Sequence, residues 1–291
     1  MRIGLHSGST IRGSIDSVVG EVGRVRTHGL SGYWGPMLNG HDTLTVLAIA
    51  GREVPDVELG TAVVPIPLRP PFALAQQAAS VQEASSNRLV LGIGPSHEAI
   101  VRGTFGLPWS SPLAVTRDYV ERLQHIFSGA SDEMKIGVRF EPPPLLLGAV
   151  NPLMTKLAVA KADGVITWAA GPKTIGEVTR SALDLAPERS APFRIVAALP
   201  LCITDDTESA RVKVHKWFGG NDGLPTYQKV LAREGVRGIA ELALIGSEDE
   251  IDRRLDEFAA SGVTDFAANV SAAGRDTERT WEFLAGRAAR G

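Results

Sequence analysis

Short apolar runs alternate with longer amphipathic stretches from one end of the chain to the other. Residues 2–6, "RIGLH", read as a strand, and Ile15, Val18, Val19, Val22 and Val25 follow at helical spacing. Ser14 suits the N-cap of that helix and Gly29 its stop. "GYW" at 32–34 is a weak strand. A helix capped by Asp42 follows it, and then the β-branched run "VELGTAVVP" at 57–65. A helix with Pro71 in its first turn leads to "RLVLGIG", and a helix ending near Gly129 leads to "PPLLLGAV" at 143–150. Asn151 and Pro152 open the next helix. "GVITWA" and "FRIVAALPLCIT" are strands on either side of one more helix. Helical stretches near 205–218, 224–234 and 247–260 precede the last strand, "VTDFAANV" at 263–270, and a closing helix.

The pattern gives eight strands, near residues 2, 32, 57, 88, 144, 164, 193 and 263, with helices between all of them. Such alternation argues for a parallel sheet, and eight units favour closure into a (β/α)8 TIM barrel with helices inserted before the last strand. No flexible linker interrupts it, so residues 1–291 read as one domain.

Composition narrows the function. The 291 residues are 44% hydrophobic, enough for a large core, and the net charge of −3 comes without a basic run. Nucleic acid and anionic membranes are therefore poor partners. Cys202 is the only cysteine, which excludes an internal disulfide and a multi-cysteine metal site. With no signal-type leader and no apolar run of membrane length, the chain reads as soluble and cytoplasmic.

"RLVLGIGPSHE" (88–98) raises the possibility of a dinucleotide-binding turn. The fingerprint needs a third glycine where His97 stands, and it belongs after the first strand, not the fourth. Pro95 also removes an amide that a pyrophosphate would use. In a barrel the same residues end a strand at the C-terminal face, where the βα loops build the site. Gly92 and Gly94 then admit a ligand or merely ease a turn. Four prolines, at 65, 67, 70 and 71, stiffen the exit of strand three and force its pairing to stop or bulge near Pro65. "GPKT" (171–174) follows strand six, and it suits either an anion or an ordinary helix start.

Three histidines, His6, His41 and His97, fall at the predicted mouth, while His28, His125 and His215 lie at or near helices. No carboxylate accompanies the mouth histidines at ligand spacing, so acid–base or ligand contact is favoured over a metal. No G-x-S-x-G elbow or P-loop occurs, and Cys202 reads as an inert buried thiol.

Residues 57–98, "ADGVITWAAGPKTI" (162–175), and "PLCITDD" with "VTDFAANV" together resemble the luciferase-like flavin and deazaflavin oxidoreductases over essentially the whole chain. "GTAVVP" and "LGIGPSH" are similar to the coenzyme F420-dependent branch. The resemblance implies a barrel with a cofactor-filled mouth, a small-molecule substrate and a homodimer. It implies that a bulge at Ala62, Val63 and Val64, often with a non-prolyl cis peptide, backs the deazaflavin ring. It further implies cofactor contacts from Gly94, Pro95 and Ser96, a proton donor at His97, and a phosphate site at Gly171, Pro172, Lys173 and Thr174. His6 and Trp168, at strand ends, join the candidate cofactor contacts, and His41 is a second candidate for the proton donor. Trp34, Leu38 and Trp109 are candidates for shaping the substrate pocket.

Two departures stand out. The acid of an Asp-His type pair is missing from the end of strand two, where His41 and Asp42 are the nearest substitutes, and 131–144 lacks the family's Asp-Phe-x-Gly hairpin. The expected reaction is hydride transfer from reduced F420 to a C=C or C=N bond, with alcohol oxidation as its reverse. An FMN-dependent monooxygenase and a non-catalytic cofactor-binding barrel are the alternatives.

Overall fold

A computed structural model describes residues 1–130, 135–189 and 191–290. Eight strands form the wall: β1 (Arg2–His6), β2 (Gly32–Gly35), β3 (Glu58–Thr61), β4 (Leu89–Gly94), β5 (Leu145–Gly148), β6 (Gly164–Trp168), β7 (Arg194–Ile203) and β8 (Asp265–Val270). Each runs parallel to its neighbours, and β8 closes the ring by pairing with both β7 and β1. All eight coincide with the strands read from the sequence. Among the described residues two short strands add to these: Val64–Pro65 pairs with the end of β4, and Leu244–Gly246 extends the end of β7 beyond the ring.

The helices form where their capping and apolar spacing dictate. Ser14 and Asp42 accept helix amides from Ser17 and Thr45, and the chain leaves its first long helix through Gly29 at φ 65°. Ile3, Leu5, Leu59, Leu91, Leu147 and Ile195 point outward from the strands into one apolar layer under the helices.

The alternate strand positions point inward and stack in layers. At the N-terminal end, Arg194 is bonded to Glu58 at 2.8 and 3.0 Å and to Asp265 at 2.6 and 3.3 Å, with Arg2 alongside. Above this layer the Trp34 indole fills the centre beside Val90, Leu146, Ile166 and Val196. The ring has room because Gly60 faces it: a Cβ there would lie 2.1 Å from Trp34 Cε3. Trp34 is only 1% exposed and so belongs to the barrel floor, not to a substrate wall as its place at the end of β2 suggested. Gly60→Ala is expected to destabilise the fold by about 1–3 kcal/mol through overpacking, read as a lower urea midpoint with an unchanged m-value.

The exit of β3 carries the bulge that its prolines announced, slightly earlier than Pro65. Gly60 pairs with Val90 and Val64 with Ile93, four steps on one side against three on the other. The additional residue lies in the Ala62–Val63 segment, whose peptide is cis. Thr61 stitches the gap: its hydroxyl donates to the Gly92 carbonyl at 2.7 Å and accepts from the Gly92 amide at 2.9 Å. A Cβ on Gly92 would sit 2.0 Å from the Thr61 carbonyl oxygen, and one on Gly94 would sit 3.1 Å from Val63 Cγ2. The two glycines therefore make room for the bulge.

Candidate active site

Strand ends and the loops after them surround two cavities at the C-terminal face, of about 810 and 850 Å3. The two share His6, Ala62, Val63, Ser96, His97, Trp168 and Tyr227 as common wall. They are lobes of one cleft, divided by groups from β1, β3, β4 and β6.

The first lobe lies over the bulge. Ala62, Val63, Gly94, Ile166 and Trp168 give it an apolar floor, and Trp109 stands on its wall. Polar groups, among them Ser96, Thr167, Asn151 and Lys229, are the minority of its lining. Asn151, at the start of helix Pro152–Lys161, makes no side-chain cap bond, and its Oδ1 is buried without a partner. Lys229, exposed on helix Pro225–Glu234, lines the same lobe. The second lobe is more polar, with Ser7, Ser9, Arg12 and Glu21 facing Leu38 and Trp217. Glu21 accepts from Ser9 at 2.8 Å through one oxygen, while its other oxygen is buried and unpartnered.

His97 stands where the lobes meet. Ser96 before it has φ 65°, a left-handed conformation that a serine seldom adopts and that recurs at functional sites. The imidazole lies against Tyr227, ring centres 5.5 Å apart, and its nitrogens take no hydrogen bond among the described residues. Burial lowers its pKa below the usual histidine value of 6.5, so the ring is neutral at pH 7. The neighbouring Glu98 is paired with Arg102 at 2.9 Å.

Other candidates lie elsewhere. His41 is exposed, and its Nε2 lies 3.1 Å from the Gly13 carbonyl, outside both lobes. Asp42 caps its helix and pairs with Arg69, so neither residue replaces the missing acid. Val64 is fully buried and packs outward into the apolar layer. The segment Gly171–Thr174 lines neither lobe, and an internal carboxylate holds it. Glu234 Oε1 accepts from the Gly171 amide at 3.0 Å and from the Thr174 amide at 2.7 Å. This carboxylate has the position and charge that an anion at a helix start would have. Lys173 points to solvent and Pro172 offers no amide. Glu234→Ala is expected to cost about 1–2 kcal/mol of stability, as the loss of an N-cap does, measured by urea unfolding.

Sequence reasoning missed Tyr227, Lys229 and Asn151. Nothing local marks Tyr227 or Lys229, since both sit in an inserted helix whose approach to the mouth depends on tertiary packing. The sequence around Asn151, before Pro152, points only to a helix cap. The family's Asp-Phe-x-Gly hairpin segment falls partly at 131–134, outside the described residues. Among the described residues no three His, Cys, Asp or Glu side chains gather as a metal site, and no helix is long and apolar enough to cross a membrane.

With this geometry in view, the family model for luciferase-like monooxygenases matches residues 2–265. The chain belongs to the luciferase-like monooxygenase family. A Mycobacterium tuberculosis relative, provisionally named a coenzyme F420-dependent oxidoreductase, is 28% identical over 200 residues, 59% of this chain and 58% of that protein. The 5,10-methylenetetrahydromethanopterin reductase of Methanolobus tindarius is 25% identical over 187 residues, 60% of this chain and 57% of that one. The matched region therefore spans somewhat over half the length of these two relatives. Among solved structures, an F420-dependent secondary alcohol dehydrogenase superposes with a TM-score of 0.78 at 16% identity, covering 98% of this chain and 97% of that chain. This last likeness is one of fold. The luciferase-like barrel seen here thus matches its family in architecture.

Proposed function

We propose that the protein is a coenzyme F420-dependent oxidoreductase that passes hydride from the reduced deazaflavin to a C=C or C=N bond of a small organic substrate. The observation that carries this reading is the first lobe. Its floor, Ala62–Val63 with Gly94 and Trp168, is apolar, and the ring nitrogens of His97 are unengaged where that lobe meets the second. The name of the Mycobacterium tuberculosis relative supports this cofactor, and that of the Methanolobus tindarius relative, a reductase, supports the direction of the reaction.

An apolar floor suits the body of a deazaflavin ring, and the unpartnered Oδ1 of Asn151 offers an acceptor to a donor group of the ligand. Lys229 is the cation available to a phosphate, because Glu234 occupies the amides at Gly171 and Thr174. A bound reduced deazaflavin supplies a hydride from a ring carbon. The chain's part is to hold two ligands against a shared wall and to move a proton at His97. Leu38, Met37 and Trp217 make one side of the second lobe apolar, which suits the body of an organic substrate.

Alcohol oxidation is favoured as the second reading by one observation. Burial keeps His97 neutral, the form that accepts a proton.

Fluorescence titration of the purified protein with F420 and with FMN tests the cofactor. Micromolar binding of F420, with FMN at least about tenfold weaker, is the expected result. Micromolar FMN binding with none for F420 would overturn the reading in favour of a flavin monooxygenase. Cofactor binding without turnover across a broad panel of enones, imines and secondary alcohols would favour a non-catalytic barrel.

A further inference from the structure

We infer that Asn269 is a positioning residue that locks His6 with its free N–H directed at the cleft, making His6 the donor that recognises a carbonyl-type oxygen there. His6 ends β1 and lines both lobes. Asn269, on the adjoining strand β8, places its Nδ2 at 3.2 Å from His6 Nδ1 and 3.3 Å from the His6 carbonyl oxygen. A carbonyl oxygen only accepts, so the end of the amide that faces it is the NH2 group. At the other end Oδ1 accepts from the Ser271 hydroxyl at 2.8 Å, which is compatible with this orientation. All three side chains are buried, so water does not compete for these bonds.

The tautomer follows from this orientation. His6 Nδ1 meets an N–H donor and must be the acceptor, so the proton of the neutral ring sits on Nε2. Among the described residues Nε2 has no protein partner. Trp168 stacks on the imidazole, with ring centres 4.9 Å apart and planes 29° from parallel, and limits its rotation. Burial also lowers the His6 pKa to about 4, which keeps the ring neutral at physiological pH.

His6 therefore differs in kind from His97. His97 has no partner to set its tautomer and is free to exchange a proton, whereas His6 presents a fixed donor. A lactam or ketone oxygen is complementary to it. An N–H group or a cation is not. This assignment rests on the oxidoreductase reading only for the identity of the bound molecule, because the tautomer is a property of the free protein.

The experiment is 15N NMR of histidine-labelled protein without ligand, with His6 assigned by its loss in a His6→Gln variant. The wild type is expected to show His6 protonated on Nε2 and unprotonated on Nδ1, with no titration between pH 6 and 8. In Asn269→Asp the new carboxylate accepts from Nδ1, so the proton is expected to move there and the pKa to rise. Ser271→Ala, a milder change, is expected to loosen the amide and give a mixture of tautomers. Wild-type His6 protonated on Nδ1, or a tautomer identical in all three proteins, would overturn the proposal. Oxidised F420 is expected to bind Asn269→Asp about tenfold more weakly by fluorescence. Equal affinity would remove the recognition role. If F420 bound neither protein, the functional reading would fall, while the NMR result would still decide the lock.

Discussion

Arg194→Met is expected to lower the free energy of unfolding by about 3–5 kcal/mol, the usual cost of removing one partner from a buried ion pair. Arg194 is the cation at the closed end of the barrel. It donates to Glu58 and Asp265, and the Asp265 side chain is only 4% exposed. Arg2 also reaches both acids, but it is 45% exposed, so it does not replace the guanidinium. Methionine preserves the packing against the inner layer and leaves two carboxylates facing each other. A urea titration at pH 7 measures the loss. Adding Glu58→Gln and Asp265→Asn to Arg194→Met should restore a good part of it, because the penalty comes from unpaired charge. A loss below about 0.5 kcal/mol in the single variant would show that the cluster behaves like a surface ion pair.

His97→Ala is expected to lower kcat by about 100- to 10,000-fold while changing F420 affinity by less than about threefold, the signature of a lost proton-transfer group. The pH profile carries the sign. Burial depresses the His97 pKa below 6.5, so the protonated form is gained only as pH falls below that value. Substrate reduction consumes a proton, so its kcat/KM should climb as pH is lowered through the depressed pKa. Alcohol oxidation releases a proton to the neutral ring, so its kcat/KM should be flat at neutral pH and fall only as pH drops through the same depressed pKa. Both limbs should vanish in His97→Ala. A variant that kept the wild-type rate and profile would remove His97 from the chemistry.

The barrel was legible because each strand leaves a local trace. A strand covered on both faces reads as a short apolar run, and the helices between carry caps such as Ser14 and Asp42. Elements too short for a period were not legible: helices Ser9–Arg12, Glu98–Gly103 and Ile239–Leu242, and strand Leu244–Gly246. The mouth was legible where residues sit directly at strand ends, as His6, Gly94 to His97 and Trp168 do. It was misleading where a distant residue decides the outcome. Trp34 turns inward because Gly60, on another strand, has no side chain. The amides of "GPKT" look open to an anion until Glu234, 60 residues later, is seen to hold them. His41 follows a strand, but its loop folds back on Gly13.

The wall common to the two lobes has a kinetic meaning. Ala62, Val63, Ser96, His97 and Trp168 present one set of atoms to both sides of the cleft. A molecule seated against them in the first lobe completes the surface that the second offers to its own guest. On the proposed reading the two ligands reside together, and each one's affinity is then expected to depend on the presence of the other. Initial-rate lines at several fixed concentrations of one ligand should intersect rather than run parallel, as they do when both reactants are held before either product leaves.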